Sequence, residues 1–312
     1  MIPGITKYYV IGRIVVSLKK YIAYIKVVET GSLTKAAEIL NYTQPGISQM
    51  ISSLEEEYGF PLLIRQKNGV TPTKNGLSVL QSMYEIQRGY ERLSESVNEI
   101  NGLETGTIRI GAYTSITTNW LPEIIREFKS IYPLIEIQVY EGTATELELW
   151  LDKDIIDFAM GTTLNDKWYF EALVEDPIVA IMSPIHELVE LDSLPLELLE
   201  STDFILPYLN TFLEIHEILK KEKIKPQISY QIKGDNTIIS MVKNNLGISL
   251  VPKLLLNGYT ENIIIKPLQP IFSRQIGIFM NTAKNAQTPS VKKIIHYINE
   301  WNVTKNQLSC SR

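Results

Sequence analysis

The hydrophobic positions of residues 30–59 recur at helical spacing and predict two short helices joined by a tight turn. Ser32 is a suitable N-cap for the first helix, Asn41 tolerates the left-handed backbone of the turn, and Thr43 can cap the second helix. Pro45 lies in the first turn of that helix, where its missing N–H is harmless. The buried stripe of the second helix is predicted to contain Ile47, Ile51 and Leu54. This layout is typical of a helix-turn-helix, although a generic helical hairpin has the same apolar spacing.

The next segment predicts a β-hairpin followed by one long helix. Residues 62–72 read as two short strands around an Asn68-Gly69 turn, which would form a wing beside the helix pair. Residues 72–103 form a helical pattern that Gly102 and Gly106 end. Its stripe, with a spacing of three or four residues, consists of Leu77, Leu80, Tyr84, Gln87, Tyr90, Leu93, Val97 and Ile100. No local segment covers this stripe, so we expect it to pair with a second copy of the chain, with packing inside one chain as the alternative.

From Gly106 onwards the pattern changes to strands that alternate with helices. The first unit is predicted to have strands at 107–113, 135–141 and 155–160 and helices at about 118–130 and 145–151. The second unit, about 165–265, is predicted to have strands at 174–183, 203–207, 228–233 and 247–252 and helices at 212–222 and 237–244. Residues 274–280 read as a strand that returns to the first unit, and 290–302 as a closing helix. Two α/β lobes crossed by two chain segments predict a hinged cleft, as in periplasmic-type solute-binding folds.

Composition limits the surroundings in which the chain can work. Its 312 residues give room for two to three domains. Cys310 is the one cysteine, so no intramolecular disulfide can form, which favours a reducing cytoplasm. No apolar run approaches the roughly 20 residues that span a bilayer, so we expect no membrane partner. Residues 1–15 do not read as a signal peptide, and we expect either a disordered extension or a start assigned too far upstream.

The charge of the chain is unevenly distributed. The net charge is −5, which by itself argues against a nucleic-acid partner. Residues 15–76 nevertheless carry seven basic and five acidic side chains, so the positive end coincides with the predicted helix-turn-helix.

Residues 31–76 closely resemble the DNA-binding domain of LysR-type transcriptional regulators, through GSLTKAAEIL and TQPGISQMISSLEEEYGFPLLIRQKNGVTPTKNG. The positions that match the family pattern are Ser32, Ala36, Ala37, Leu40, Gln44, Pro45, Ser48, Leu54, Glu55, Gly59, Leu62, Arg65, Thr73 and Gly76. The resemblance continues more loosely through nearly all of the remaining chain. It implies a homo-oligomer, a dimer and by family expectation a dimer of dimers, that regulates the access of RNA polymerase to promoter DNA.

The implied fold class is α plus α/β, with a winged helix-turn-helix, a long linker helix and a two-lobed, periplasmic-binding-protein-like effector domain. The expected divisions are an extension at 1–15, a DNA-binding domain at 16–74, a dimerisation helix at 75–103, an effector domain at 106–302 and a tail at 303–312. Within the effector domain, lobe I is expected to comprise 106–164 and 268–302, and lobe II to comprise 165–267.

Three groups of residues are expected to contact double-stranded promoter DNA. The recognition helix offers polar groups to base edges, with Gln49 the first candidate because glutamine can pair with adenine. Many family members carry arginine or lysine at that position, so we expect less phosphate clamping from this helix. A solvated helix face is the alternative interpretation. The candidate residues are Gln44, Pro45, Ser48, Gln49 and Ser52 on the helix, Arg65, Lys67, Thr71 and Thr73 on the wing, and Ser32, Thr34 and Lys35 at the start of the first helix.

A small-molecule effector is expected at the carboxyl ends of the strands, against helix N-termini. The candidates are Tyr113, Thr114, Ser115, Thr143, Thr162, Thr163, Tyr208, Asn210, Asp235, Asn236 and Thr237. The family resemblance places effector contacts chiefly at Ser115, Thr162 and near Thr237. Each residue has the alternative of being a helix cap or turn residue. Hydroxyls and helix N-termini favour a polar or anionic ligand, and no arginine falls obviously among the candidates, so a carboxylate is not required.

Other kinds of site find little support in the sequence. His186, His216 and His296 are too far apart in sequence to predict a metal site, and we expect no metal or cofactor. The sequence has no Gly-rich phosphate loop and no GxSxG elbow, which argues against an enzyme. Asp157 is interpreted as structural. A solute-binding protein without a regulatory role is the main alternative, but it does not account for residues 15–100.

Overall fold

The computed structural model describes residues 18–67, 69–209, 212–259, 261–281 and 288–310, and the chain divides into two units, Met1–Asn101 and Gly102–Arg312. The long helix predicted from residue 72 onwards belongs to the first unit. The expected extension at 1–15 and Asn68 of the predicted turn lie outside the described residues. The finer domain boundaries remain predictions.

The described part of the first unit contains a helix-turn-helix, a β-hairpin and a long helix, as predicted. Ser32 and Thr43 are the N-caps of the two short helices, and Asn41 has the left-handed backbone expected of the turn, with φ 57°. The elements are α1 Leu18–Thr30, α2 Leu33–Leu40, α3 Gln44–Tyr58, β1 Leu63–Gln66, β2 Gly69–Pro72 and α4 Lys74–Ile100.

The core of this unit forms where α1, α2 and α3 cross. Ala36 and Ala37 are buried, and their small side chains let the neighbouring helices approach closely. The apolar stripe predicted for α3, Ile47, Ile51 and Leu54, is fully buried against them. Burial of such side chains contributes about 1.5–3 kcal/mol each, so α3 presents its opposite, polar face to solvent.

The apolar stripe of α4 divides into two parts. Tyr84 is buried, and its hydroxyl donates to Glu29 on α1 at 3.1 Å, while Leu80 packs partly buried on the same core. The expectation that the whole stripe faces a second copy was therefore wrong at Leu80 and Tyr84, because α1 already covers these two side chains. Five other positions of the predicted stripe are exposed: Leu77, Tyr90, Leu93, Val97 and Ile100.

The second unit is an α/β domain built on one mixed sheet. Its first elements are β3 Gly106–Ala112, α5 Thr114–Asn119, α6 Leu121–Ile131, β4 Ile135–Glu141, α7 Ala144–Asp152, β5 Phe158–Gly161 and β6 Tyr169–Met182. The remaining ones are β7 Leu194–Pro195, β8 Phe204–Pro207, α8 Leu213–Lys221, β9 Ile228–Ile232, α9 Asp235–Lys243, β10 Ser249–Pro252, β11 Ile264–Met280 and α10 Pro289–Cys310. Short 3₁₀ turns lie at Glu187–Glu190, Leu196–Glu200 and Lys253–Leu256.

The long antiparallel strands β6 and β11 cross between two lobes with separate hydrophobic cores. The main sheet has the order β10-β6-β11-β5-β3-β4, with β7 paired to β11, and β8 and β9 pair separately. One core contains Ile108, Ile110, Phe128, Phe158 and Ile278, and the other contains Phe204, Ile205, Ile238, Ile248 and Leu250. The two crossing segments of the sequence prediction therefore correspond to β6 and β11.

Several element boundaries differ from the sequence prediction. The helix expected at 118–130 is two helices, α5 and α6, which meet at Trp120, with Pro122 in the first turn of α6. The strand expected from 155 begins at Phe158, because Asp157 is engaged with Arg109. The Asp157 N–H donates to the Arg109 carbonyl, and the Arg109 N–H donates to the Asp157 carboxylate. The closing helix extends beyond residue 302 into the expected tail.

None of the helices in the described ranges is long and apolar enough to cross a membrane.

Gly76→Ala should destabilise the protein by about 2 kcal/mol or more. A Cβ at this position would lie 2.3 Å from the Tyr24 hydroxyl and 2.4 Å from the Leu62 carbonyl oxygen, at the point where α4 contacts the helix-turn-helix core. Urea unfolding of the full-length chain measures the effect.

The matched control is Gly89→Ala on the same helix, where the nearest atom to the new Cβ is the end of the Arg92 side chain at 3.7 Å. That change should stabilise the protein by about 0.5–1 kcal/mol, because alanine favours a helix over glycine. Equal effects of the two changes would show that the close contact at Gly76 is not a packing constraint.

Candidate functional site

The exposed face of α3 carries the polar side chains expected to meet a partner. Thr43 caps α3 by accepting the Gly46 N–H at 3.2 Å, and the helix begins at Gln44, with Pro45 in its first turn. Gln44, Pro45 and Gln49 are exposed, and Ser48 and Ser52 are half-buried. Because the stripe on the other side of α3 is buried, this polar face is held outwards.

A side-chain hydrogen bond joins α3 to the hairpin. Arg65 on β1 donates from Nη2 to Ser48 Oγ at 3.0 Å, and its side chain is otherwise exposed. The hairpin is anchored by the Val70 N–H, which donates to the Gly31 carbonyl at 2.9 Å. Lys67 and Thr71 are exposed on the same hairpin. The predicted helix and wing residues therefore form one continuous polar surface with a cation at its centre.

Two predicted contact residues use their hydroxyls for helix capping. Ser32 Oγ accepts the Lys35 N–H at 3.3 Å. Thr73 Oγ1 accepts the Gly76 N–H at 2.9 Å and donates to the Pro61 carbonyl at 2.8 Å. Both hydroxyls therefore have partners within the chain, and their contact with DNA stays a prediction. Thr34 and Lys35 are exposed at the start of α2.

Two of the three acidic residues at the end of α3, Glu55 and Glu57, are engaged within the chain. Glu55 accepts the backbone N–H groups of Leu62 and Leu63, at 2.7 and 3.2 Å, and so fixes the start of the hairpin. Glu57 lies 3.7 Å from Lys20 on α1. These carboxylates hold the fold together rather than face the polar surface of α3.

A cavity of about 210 Å³ lies between the two lobes of the second unit. Five of its lining residues were predicted from the sequence: Tyr113, Thr114, Ser115, Thr143 and Asp235. The others are Glu141, Gly142 and Glu146. Most of these residues follow β3 or β4 in lobe I, and Asp235 opens α9 in lobe II, so the cavity joins both lobes at strand ends and helix N-termini.

Local hydrogen bonds position the lobe I side of the cavity. Glu141, the last residue of β4, accepts from the hydroxyls of Thr114 at 3.1 Å and Thr117 at 2.6 Å. Thr143 and Glu146 form a capping box at the start of α7, and the Glu146 carboxylate accepts the Thr143 N–H at 2.8 Å. These bonds hold two carboxylates against the cavity.

Arg274 on β11 lies directly behind the cavity. It is 5% exposed, and it donates from Nη2 to Ser115 Oγ at 3.1 Å and from Nε to the Asp176 carboxylate at 3.0 Å. Its Nη1 lies 3.6 Å from Glu214, and the guanidinium lies 5.3 Å from the centre of the Tyr113 ring. No arginine fell obviously among the sequence candidates, and Arg274 contacts one of them, Ser115, without itself lining the cavity.

Burial changes the ionisation of the groups around the cavity. It raises the pKa of Asp235 to about 6, with the neighbouring Glu141 acting in the same direction and Arg274 in the opposite one. Burial also raises the pKa of Asp176, against the opposing effect of Arg274 and of the Leu254 N–H, and raises the pKa of the Tyr113 hydroxyl. Asp235 therefore changes its charge within about one pH unit of neutrality.

Two family models match the chain in the order of its two units. The bacterial regulatory helix-turn-helix model of the lysR family matches residues 18–77, and the LysR substrate binding domain matches residues 101–302. The HTH-type transcriptional regulator YvbU of Bacillus subtilis is 28% identical over 273 residues, which cover 84% of this chain and 91% of that protein.

The chain belongs to the LysR family of bacterial transcriptional regulators.

Solved structures agree with this fold. Full-length CbnR, a LysR family regulator complexed with its target DNA, has a TM-score of 0.63 at 16% identity and covers 91% of this chain and 99% of that one. The effector-binding domain of QuiR in complex with shikimate has a TM-score of 0.58 at 19% identity and covers 64% of this chain and 98% of that one. The resemblance drawn from the sequence is confirmed, and so are the helix-turn-helix, the long helix and the α/β effector domain.

The other predicted effector residues of this LysR-family protein do not line the cavity in the part of the chain that the structure describes. The Thr162 carbonyl accepts the Tyr113 hydroxyl at 3.1 Å, and the Thr163 hydroxyl donates to the Asn165 carbonyl. The remaining ones are Tyr208, Asn236 and Thr237, which are exposed. Asn210 lies outside the described residues.

Sequence reasoning missed Glu141, Glu146 and Arg274. The T-x-x-E spacing of Thr143 and Glu146 is a capping-box signal and could have placed Glu146 beside Thr143. Arg274 is 159 positions from Ser115, so no local pattern could have brought the two together.

Asp235→Asn should stabilise this LysR-family protein near pH 7.5 and leave its stability near pH 4 unchanged. The pKa of Asp235 is raised in the folded state, from 3.8 to about 6, so folding takes up a proton, and stability present at low pH is lost as the pH rises through 6. We expect the melting temperature of the variant to exceed that of the wild type by about 2–5 °C at pH 7.5, measured by calorimetry.

The control for this change is Asp166→Asn, which alters an exposed carboxylate outside the cavity. Its melting temperature should differ from that of the wild type by the same small amount at both pH values. A lower melting temperature for Asp235→Asn at pH 7.5 would contradict the prediction.

Proposed function

We propose that this chain is a homodimeric, effector-controlled regulator that binds double-stranded promoter DNA through α3 and the β1–β2 hairpin. The observation that carries the proposal is the polar face of α3, which is held outwards by a buried apolar stripe and joined to the hairpin by the Arg65–Ser48 hydrogen bond. A second helix held in this way can enter the major groove while the hairpin follows the backbone. The expected cellular location is the cytoplasm.

The residues of this surface divide into base readers and phosphate contacts. Gln44 and Gln49 are exposed near the start of α3, where a docked helix meets base edges, and glutamine can pair with adenine N6 and N7. Arg65, Lys67 and Lys35 carry the positive charge on the wing and at the start of α2 and suit phosphate oxygens. The released counterions would make binding strongly dependent on salt.

The exposed part of the α4 stripe supports a homodimer. Five apolar side chains on this helix are between 47% and 85% exposed: Leu77, Tyr90, Leu93, Val97 and Ile100. So much exposed apolar surface on one helix is unusual for a monomer and indicates an interaction surface. Pairing with the same helix of a second copy would bury them symmetrically and would present two α3 helices to a pseudo-palindromic site. A tetramer built from two dimers, and contact with RNA polymerase, are further expectations.

A small molecule in the interlobe cavity would control the regulator. The effector-binding domain of QuiR holds shikimate, which supports a ligand role for this type of domain. In this chain the cavity joins both lobes, so a ligand that contacts both would favour the closed arrangement by its difference in affinity for the two states. A solute-binding role alone would leave the polar surface of α3 without a function.

The direct test is the binding of the full-length protein to the DNA upstream of its own gene, measured by fluorescence anisotropy against a scrambled duplex of equal length. We expect the native fragment to bind at least about 10³-fold more tightly than the scrambled one at physiological salt. Equal affinities at every salt concentration, for this fragment and for fragments from the rest of the genome, would overturn the proposal.

Gln49→Ala should weaken binding to the preferred site by about 1–3 kcal/mol and relax the base preference at one position of each half-site. The cause would be the loss of the side-chain amide that pairs with a base. A binding selection on randomised DNA measures it, and Gln231→Ala, at an exposed glutamine on β9, is the control. An equal loss of affinity for all sequences would show that Gln49 does not recognise a base.

Arg65→Ala should weaken binding to all sequences and reduce the slope of log K against log salt by about 0.9, because one phosphate contact is lost. Anisotropy titrations at several salt concentrations measure the slope. Arg126→Ala removes an exposed arginine from the effector domain and should leave the slope as it is. An unchanged slope in Arg65→Ala would mean that this guanidinium contacts no phosphate.

A further inference from the structure

The lining of the interlobe cavity is acidic. Glu141, Glu146 and Asp235 line it, and no lysine or arginine does so within the described residues. Its volume of about 210 Å³ is below the roughly 300–1,000 Å³ of pockets for drug-sized ligands, so the site suits a small molecule. The lining therefore constrains the charge of the effector more than its size.

The three carboxylates differ in what already satisfies them. Glu146 is used in the capping box, where it accepts both the N–H and the hydroxyl of Thr143. Glu141 accepts two hydroxyl hydrogen bonds but has no cationic partner within the described chain. No hydrogen bond from a described residue reaches the carboxylate of Asp235. Glu141 and Asp235 are thus the lining groups that still have acceptor capacity.

The nearest guanidinium cannot balance these charges. Arg274 already contacts the carboxylates of Asp176 and Glu214, and its remaining short hydrogen bond goes to Ser115. Its single positive charge is therefore offset by two negative charges outside the cavity lining. An anionic ligand entering the cavity would meet Glu141 and Asp235, and no lysine or arginine among the lining residues would offset them.

We propose that the effector of this cavity carries a positively charged nitrogen, an ammonium or guanidinium group, which binds between Glu141 of lobe I and Asp235 of lobe II. The inference rests on the proposed function, since it names the ligand class of the same effector site. A cation there would contact both lobes at once and would favour their closure. A desolvated ammonium–carboxylate contact is a strong, charge-assisted interaction.

The ionisation of Asp235 gives this proposal a pH signature. Burial and Glu141 raise the pKa of Asp235 to about 6, and Arg274 acts in the opposite direction. Glu146 and Lys233 are the other charged groups near this side of the cavity. Because a cation binds the ionised carboxylate, its affinity should fall about tenfold per pH unit below pH 6, whereas an anion would bind better as the carboxylate takes up its proton.

The test is a thermal unfolding series on the full-length protein with probes of defined charge. The probes are putrescine and agmatine as cations, succinate as an anion, 1,4-butanediol as a neutral molecule and Mg²⁺ as a metal, each at about 10 mM and at matched ionic strength. At pH 7.5 we expect the two amines to raise the melting temperature by about 3 °C, the shift that ten times a millimolar dissociation constant produces in a domain of this size. At pH 5 the shift should fall to less than about 1 °C, because the affinity is about tenfold lower.

Matched variants assign the shift to the site. Asp235→Asn and Glu141→Gln should each reduce the amine shift at pH 7.5 to less than about 1 °C, while Asp166→Asn keeps it. An amine shift that survives in both cavity variants would overturn the proposal, as would a shift with succinate or Mg²⁺ in the absence of one with the amines. No shift with either amine would overturn it as well.

DNA binding on the same preparation separates this proposal from the proposed function. Specific binding to the upstream fragment with no response to amines would overturn the ligand class alone. An amine shift that depends on Asp235 in a protein that prefers no DNA sequence would support the cation site and would overturn the regulatory role.

Discussion

The buried ion pair between Arg274 and Asp176 is the constraint on which the effector domain depends. Both side chains are at most 5% exposed, and they join β11 to β6, the two strands that cross between the lobes. A charge buried to this degree requires a partner, since loss of one partner costs about 3–5 kcal/mol. The pair also holds Ser115 at the start of α5 and the Leu254 N–H, so the back wall of the cavity is fixed by charges that are already neutralised.

The contacts of Arg274 with its neighbours differ in length. The Arg274–Asp176 and Arg274–Ser115 hydrogen bonds are 3.0 and 3.1 Å long, whereas the contact of Arg274 with Glu214 of lobe II is 3.6 Å. The longer contact is the weakest of the three, so the guanidinium is held mainly by Asp176 and Ser115. Asp235 and Glu141 line the same cavity from different lobes, and the charge of Glu141 helps to raise the pKa of Asp235, so the two ionised carboxylates repel each other.

Features that depend on neighbouring residues could be predicted from the sequence, and those that depend on distant ones could not. The caps Ser32 and Thr43, the left-handed Asn41 and the limits of β4 follow from local backbone preferences. The break between α5 and α6 was missed although Pro122 signals it, because the apolar period continues through Trp120. The return of a strand at 274–280 to the first unit was predicted, but the contact of Arg274 with Ser115 could not be found in this way, because the two residues are 159 positions apart.

The stripe of α4 shows why a period alone does not identify a partner. Tyr84 and Leu77 belong to the same apolar stripe in the sequence. Tyr84 is nevertheless buried by α1 and hydrogen-bonded to Glu29, whereas Leu77 is 54% exposed. The sequence records that a face is apolar, and the fold determines how much of it the chain itself covers. The uncovered remainder is what a second copy could bury, and it comprises Leu77 before the segment that α1 covers and the stretch from Tyr90 to Ile100 after it.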